Sequence, residues 1–157
     1  MKREKDYQIN HSIKASFVSA VSGVVHALRS ERNLRIHFAA AAYVLYFSRY
    51  YEFSGLEYSV IMLLIGMVIT CEMLNTAVER TVDLETSQFH RLAKIAKDTA
   101  AGAVLVSSIL SAAAGVLLFW DVEVFAVISQ DLRDQIIIWI LLAAITWMWV
   151  IGPKKKR

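Results

Sequence analysis

From Thr99 to Trp120 the chain runs for 22 residues without one Asp, Glu, Lys or Arg. About 20 mainly apolar residues suffice for a helix to cross the hydrocarbon of a bilayer, so this run alone makes an integral membrane protein the first expectation. Its Ala, Gly and Ser content suits close packing of membrane helices. Three further apolar blocks accompany it. Leu34 to Tyr51 holds only Arg35, His37 and Arg49 as basic groups, Tyr58 to Cys71 holds no acid or base apart from its Tyr and Cys, and Ile136 to Ile151 carries Trp139, Trp147 and Trp149 as interfacial anchors. Of the 157 residues 57% are hydrophobic, and they are gathered into blocks instead of alternating with charge as in a soluble amphipathic bundle. A chain of this length has room for one compact unit and no second soluble domain.

The first dozen residues, opening Met-Lys-Arg-Glu-Lys-Asp, are polar, so no cleavable signal sequence is expected there. The single Cys71 excludes an internal disulfide. Fifteen of the 17 basic residues fall before or at the opening of the first block, between the second and third, or after the fourth. The intervening segments are mostly acidic: Arg49, Glu52 and Glu57 in one, Asp121, Glu123, Asp131, Arg133 and Asp134 in the other. By the positive-inside rule four spans would leave both chain ends in the cytoplasm. Ahead of the first span, Phe17, Val21, Val24, Val25 and Leu28 recur at helical spacing over 13–30, the pattern of an amphipathic helix lying in the membrane surface.

The polar residues that matter most follow the second block directly. At about 100° per residue, Glu72, Asn75, Thr76, Glu79 and Asp83 point within about 60° of one direction on a continuing helix. A carboxylate buried in hydrocarbon costs about 3 kcal/mol on insertion scales, so Glu72 must face protein, water or a cation. A merely solvated helix end would account for Asp83, but not for Glu72 and Asn75, which follow the apolar run without a break. Two more polar patches fall at the same depth: Glu31 to His37 at the entry to the first span, and His90 to Asp98 ahead of the third. Acids able to hold Mg²⁺ beside a base able to hold phosphate are the parts of phosphoryl transfer, and Lys97 and Asp98 supply one of each. Neither a Gly-rich phosphate loop nor a protein-kinase catalytic loop is present. His11, His26, His37 and His90 are too scattered for a zinc site.

Three segments, Glu31-Arg32-Asn33-Leu34-Arg35-Ile36-His37, Glu72-Met73-Leu74-Asn75-Thr76-Ala77-Val78-Glu79 through Asp83, and Ala96-Lys97-Asp98-Thr99-Ala100-Ala101-Gly102, resemble in order and spacing the prokaryotic diacylglycerol and undecaprenol kinases. The resemblance covers about residues 13–120. It implies an all-α membrane fold with a surface helix over 13–30 and spans near 34–51, 56–79 and 99–120, assembled as a homotrimer whose active sites are shared between subunits at the cytoplasmic face of the bacterial inner membrane. It implies ATP and Mg²⁺, with a lipid alcohol as acceptor and no nucleic-acid partner. Carried over by position, Glu72 is the implied catalytic base, and Glu31 and Glu79 the carboxylates that hold the Mg²⁺ of MgATP. Lys97, Asp98 and His90 are implied to border the nucleotide, with Ser19 a further contact from the surface helix. Asn75, Asp83 and Arg35 are implied in support. The Glu31–His37 segment is closer to the undecaprenol kinases than to the diacylglycerol kinases.

Residues 121–157 depart from that pattern: an external acidic turn, a fourth span near 136–151 and the basic tail from Gly152 to Arg157, for which a peripheral packing and anchoring role is expected. The rival from another class is a non-catalytic scaffold or small transporter subunit whose buried acids serve assembly or ion passage. An inverted-repeat transporter would need an internal symmetry that the chain lacks.

Overall fold

The structure is a computed structural model that describes residues 13–86, 88 and 90–152. The expected polar N-terminal segment 1–12 and the basic residues of the tail lie outside these. Among the described residues the protein is built from helices: α1 (Ile13–Ser30), α2 (Arg32–Phe47), α3 (Gly55–Glu85), α4 (Arg91–Phe119), α5 (Val122–Asp134) and α6 (Ile136–Ile151), with one 3₁₀ turn over Ser48–Tyr50.

Both α3 and α4 are long and apolar enough to cross a membrane. At about 1.5 Å per residue, the 31 residues of α3 extend roughly 46 Å, well beyond the ~30 Å of hydrocarbon. Its final turns, where the acids lie, therefore stand outside the apolar slab or at its edge. The helices begin and end with local chemistry. Ser54 caps α3 by accepting from the Glu57 N–H at 3.3 Å, while Glu57 accepts from the Ser54 N–H at 2.7 Å. This reciprocal capping box satisfies two otherwise unpaired donors. Asp121 caps α5 by accepting from the N–H groups of Glu123 and Val124. Thr86 closes the α3–α4 turn with its hydroxyl, which donates to the Gln88 carbonyl and accepts from the Gln88 N–H.

The antiparallel pair α3–α4 is the frame of the bundle, and α2 packs beside it. At the end where α2 finishes, aromatic rings hold the bundle together. Phe119 at the end of α4 packs edge-on against Tyr51 and Phe53 of the α2–α3 connection, and the Tyr51 hydroxyl donates to the Phe119 carbonyl at 2.9 Å. At the opposite end the ties are ionic, Arg80 to Glu31 and Lys97 to Asp83.

The C-terminal part differs from the expected acidic turn. Residues Val122–Asp134 form a 13-residue helix, set at 89° to α6. Val124, Ile128 and Leu132, four residues apart, are its half-buried stripe. The helix α6 runs antiparallel to α2: Trp139 stacks on Phe47 at 5.4 Å and meets Tyr46 edge-on, and further along the Tyr43 and Thr146 hydroxyls lie 3.0 Å apart. Taken with α5 the pair is long and apolar enough for a broken span or a re-entrant loop, whereas α2 and α6 alone have 16 residues each.

Few side chains are buried within one chain. Leu34 is fully enclosed and Ile61 and Val68 nearly so, yet Leu117 is 83% exposed and many other large apolar side chains on α3, α4 and α6 are open. Helices apolar on all sides are those whose outer faces meet lipid or other membrane helices.

Candidate active site

The buried polar residues of the protein are concentrated where α2 begins and α3 leaves the apolar slab. Glu72 is only 3% exposed, and Asn75 and Thr76, one turn on, are buried with it. The Thr76 hydroxyl is absorbed by the helix itself, donating to the Glu72 carbonyl at 3.1 Å. Asn75 instead turns towards Glu79, donating from Nδ2 to Oε1 at 3.3 Å. Its Oδ1 is buried with no hydrogen-bond partner. An orphaned amide oxygen beside a carboxylate is a costly arrangement in a closed site and a useful one where a hydroxyl or a hard cation is to be received.

The other wall of this site is the α1–α2 junction. Glu31 sits in extended conformation between the two helices as the N-cap of α2, accepting the first α2 backbone bond from Arg35. Two residues on, the Asn33 side chain makes a polar contact with Glu72, and the charges of Glu79 and Glu31 are both close enough to act on the same carboxyl. Glu72, Glu79 and Glu31, singled out in the sequence on different segments, are thus brought to one place, with Asn75 between two of them. Among the described residues no three His, Cys, Asp or Glu side chains are close enough to form a metal cage by themselves. Carboxylate and amide oxygens are nonetheless the donor types that suit Mg²⁺, which takes one or two carboxylates and completes its shell with water and substrate phosphates.

The remaining expected residues fall elsewhere. Asp83, His90, Lys97 and Asp98 line a separate cavity of about 400 Å³ at the α3–α4 turn. Eleven residues along α3 from Glu72, Asp83 is about 16 Å further on. Lys97 donates to Asp83 across the two helices, while its neighbour Asp98 turns to Lys94 at 3.5 Å, so adjacent residues on α4 serve different partners. Arg35 is buried with its Nε unpartnered, and Ser19 is exposed on α1, three helical turns before Glu31.

Beneath Glu72 lies a third feature, an apolar cavity of about 410 Å³ between α2, α3 and α4. Val68, one turn before Glu72, and His37, one turn after Asn33, line its upper part, and Ile61, Val44 and Phe119 line the far end. Sequence reasoning missed Arg80, which binds Glu31 at 3.1 Å. Adjacent to Glu79, it points some 80° away from Glu72 on a helical wheel and counted only as one more basic charge.

A helical membrane protein with a buried carboxylate next to an apolar cavity, and a polar cavity carrying both acids and lysines at the same end, has the parts that a membrane enzyme acting on a lipid alcohol needs. The comparisons agree. Residues 18–119 match the model of the prokaryotic diacylglycerol kinase family, and the chain belongs to that family. It is 47% identical over 112 residues to the undecaprenol kinase of Bacillus subtilis (strain 168), covering 71% of this chain and 90% of that protein. It is 38% identical over 114 residues to a diacylglycerol kinase of Synechocystis, covering 72% and 65%, and 30% identical over 107 residues to a diacylglycerol kinase of Helicobacter pylori, covering 68% and 76%. The protein is therefore a membrane-bound lipid kinase, a phosphotransferase with an alcohol as acceptor, and its family match ends where α4 ends.

Proposed function

We propose that the protein transfers the γ-phosphate of MgATP to the hydroxyl of undecaprenol. The observation that carries this reading is the buried Glu72 carboxylate, set between Asn75, Glu79 and Asn33 above an apolar cavity. A primary alcohol is a poor nucleophile, and transfer needs a base within reach of its proton and a neutralised phosphoryl group. Glu72 takes the proton and Asn75 orients it. Glu31 and Glu79 would hold Mg²⁺, which when bound offsets the charge of the phosphates. The cavity lined by His90, Lys97 and Asp98 receives the nucleotide, Lys97 exchanging Asp83 for phosphate; Asp98 faces the sugar or base. The apolar cavity below Glu72 takes the part of the lipid chain next to the hydroxyl, and Arg35 and Asp83 support the two ends of the site.

Undecaprenol is preferred because the undecaprenol kinase relative is matched over 90% of its length at 47% identity. The 38% identity to a diacylglycerol kinase makes diacylglycerol the competing acceptor. A homotrimer is the proposed assembly, supported by the apolar side chains left open on α3 and α4. The site is assigned to the cytoplasmic face of the bacterial inner membrane by the placing of basic residues. The test is phosphorylation by labelled ATP of a panel of polyprenols and diacylglycerols, with the purified protein in bilayer discs. Label in undecaprenyl phosphate at the highest kcat/KM is expected, and a higher kcat/KM for diacylglycerol would transfer the assignment to that lipid.

A further inference from the structure

One basic side chain at the site does work that neither the family match nor the reaction assigns to it. Arg80 leaves α3 one residue after Glu79 and reaches three groups on another part of the chain. Its guanidinium donates to His26 Nε2 at 2.8 Å, to Ser30 Oγ at 2.7 Å and to Glu31 Oε1 at 3.1 Å. A guanidinium has donors only, so His26 must accept through a bare Nε2. The Ser30 hydroxyl spends its own proton on the carbonyls of the last α1 turn, His26 at 3.1 Å and Ala27 at 3.3 Å, leaving a lone pair for Arg80. These three acceptors belong to the last turn of α1 and the residue that opens α2. Ala27 is buried and Val24 and Leu28 are half-buried at this end of α1, so Arg80 adds directed polar ties to a small apolar contact that by itself does not fix where Glu31 points.

Glu31 is consequently held at one oxygen. Arg80 takes Oε1, and among the described residues no hydrogen bond is made to Oε2. The Glu31 backbone is fixed as well, its N–H donating to the Ala27 carbonyl at 2.8 Å. We propose that Arg80 is a positioning residue for the metal: by tying the α1–α2 junction to α3 and engaging one oxygen of Glu31, it holds the other oxygen towards the cation shared with Glu79. Carboxylates that ligate metals are commonly oriented in this way by an outer hydrogen-bond donor. A planar fork serving three acceptors at once is a task that Lys, with one nitrogen, does not reproduce. The inference rests on the reading of Glu31 as a metal ligand and adds a residue to it.

The test uses the full chain in bilayer discs and titrates Mn²⁺ in the presence of a non-hydrolysable ATP analogue, following bound Mn²⁺ by electron paramagnetic resonance. R80Q is expected to weaken Mn²⁺ binding by about tenfold, the lower end for loss of a supporting donor. R80K should fall between R80Q and wild type. S30A, which removes one acceptor and keeps the charge, should weaken binding in the same direction by less, and it stands in if R80Q does not fold. In an E31Q background R80Q should have no further effect. Unchanged or tighter Mn²⁺ binding in R80Q, or in S30A where it stands in, would overturn the inference, tighter binding making Arg80 a competitor of the metal. If E31Q weakens binding and R80Q does not, this inference fails alone. If E31Q binds Mn²⁺ as wild type does, the reading of Glu31 as a ligand fails and takes the inference with it.

Discussion

Glu72 and Glu79 lie two turns apart on one face of α3, yet their surroundings differ, and so do the roles proposed for them. Glu72 is buried against Asn33 and the apolar cavity, whereas Glu79 accepts from Asn75 and is half-exposed. The isosteric change Glu72→Gln keeps the shape and the contact to Asn33 and removes the proposed proton acceptor. Turnover should fall by about 10²–10⁴-fold, the range typical of general-base catalysis, while the protein still inserts and assembles. A purified variant of near wild-type rate in the lipid phosphorylation assay would remove Glu72 from the chemistry. Glu79→Gln should act differently, raising the Mg²⁺ concentration needed for half-maximal rate, because on the proposed reading a hard cation loses a carboxylate oxygen. An identical Mg²⁺ titration would return Glu79 to a structural role. The helical wheel reveals that these acids share a face, since it needs only the residue repeat. It could not reveal Arg80, whose three partners lie 49 to 54 positions earlier and are brought near by folding of the α1–α2 junction.

At the level of the helices, the legible part of the sequence was the part set by membrane thickness. The apolar runs give the central portions of α3 and α4, but both helices continue past the expected limits, α3 to Glu85 and α4 from Arg91. Charged residues such as Glu, Lys and Arg are good helix formers, so the helix persists after hydropathy has fallen. The same blindness to polar helices hid α5, whose acids read as a turn although Val124, Ile128 and Leu132 stand four positions apart. Helix ends are set by single side chains. Ser54→Ala would abolish the acceptor for the Glu57 N–H and break the capping box, and a loss of about 1 kcal/mol of stability is expected. Reversible unfolding in mixed detergent against wild type measures it, and an unchanged unfolding midpoint would mean that the α2–α3 connection is held by its aromatic and tyrosine-hydroxyl contacts without the capping box.

Across the whole molecule, the family match ends at Phe119, and beyond it α6 folds back along α2 through Tyr43, Tyr46 and Phe47. Contacts between Trp139 and Tyr46 or Phe47, followed by Thr146 with Tyr43, show α6 running towards the Glu31 end of α2. A stop after Trp120 removes these contacts and leaves Glu31, Glu72, Glu79 and Lys97 with every neighbour described for them. The shortened protein should unfold at lower temperature, since it loses three aromatic contacts, Trp139 with Tyr46 and Phe47 and Phe125 with Trp120, at about 0.5–1.5 kcal/mol each, and the partners of the Tyr43 and Tyr50 hydroxyls. Kinase activity per folded molecule should stay within about twofold, because the groups proposed to lower the barrier to transfer all remain. Topology supplies an independent reading of the same truncation. In the full chain, a cysteine appended after Arg157 in a C71S background should react with an impermeant maleimide only from the cytoplasmic side, as the direction of α6 and the positive-inside rule require. In the truncated chain, a cysteine appended after Trp120 should react only from outside. If both react from the same side, the α5–α6 pair dips into the bilayer without crossing it, and if the inserted, truncated protein has no kinase activity, α6 acts on the site through its hold on α2.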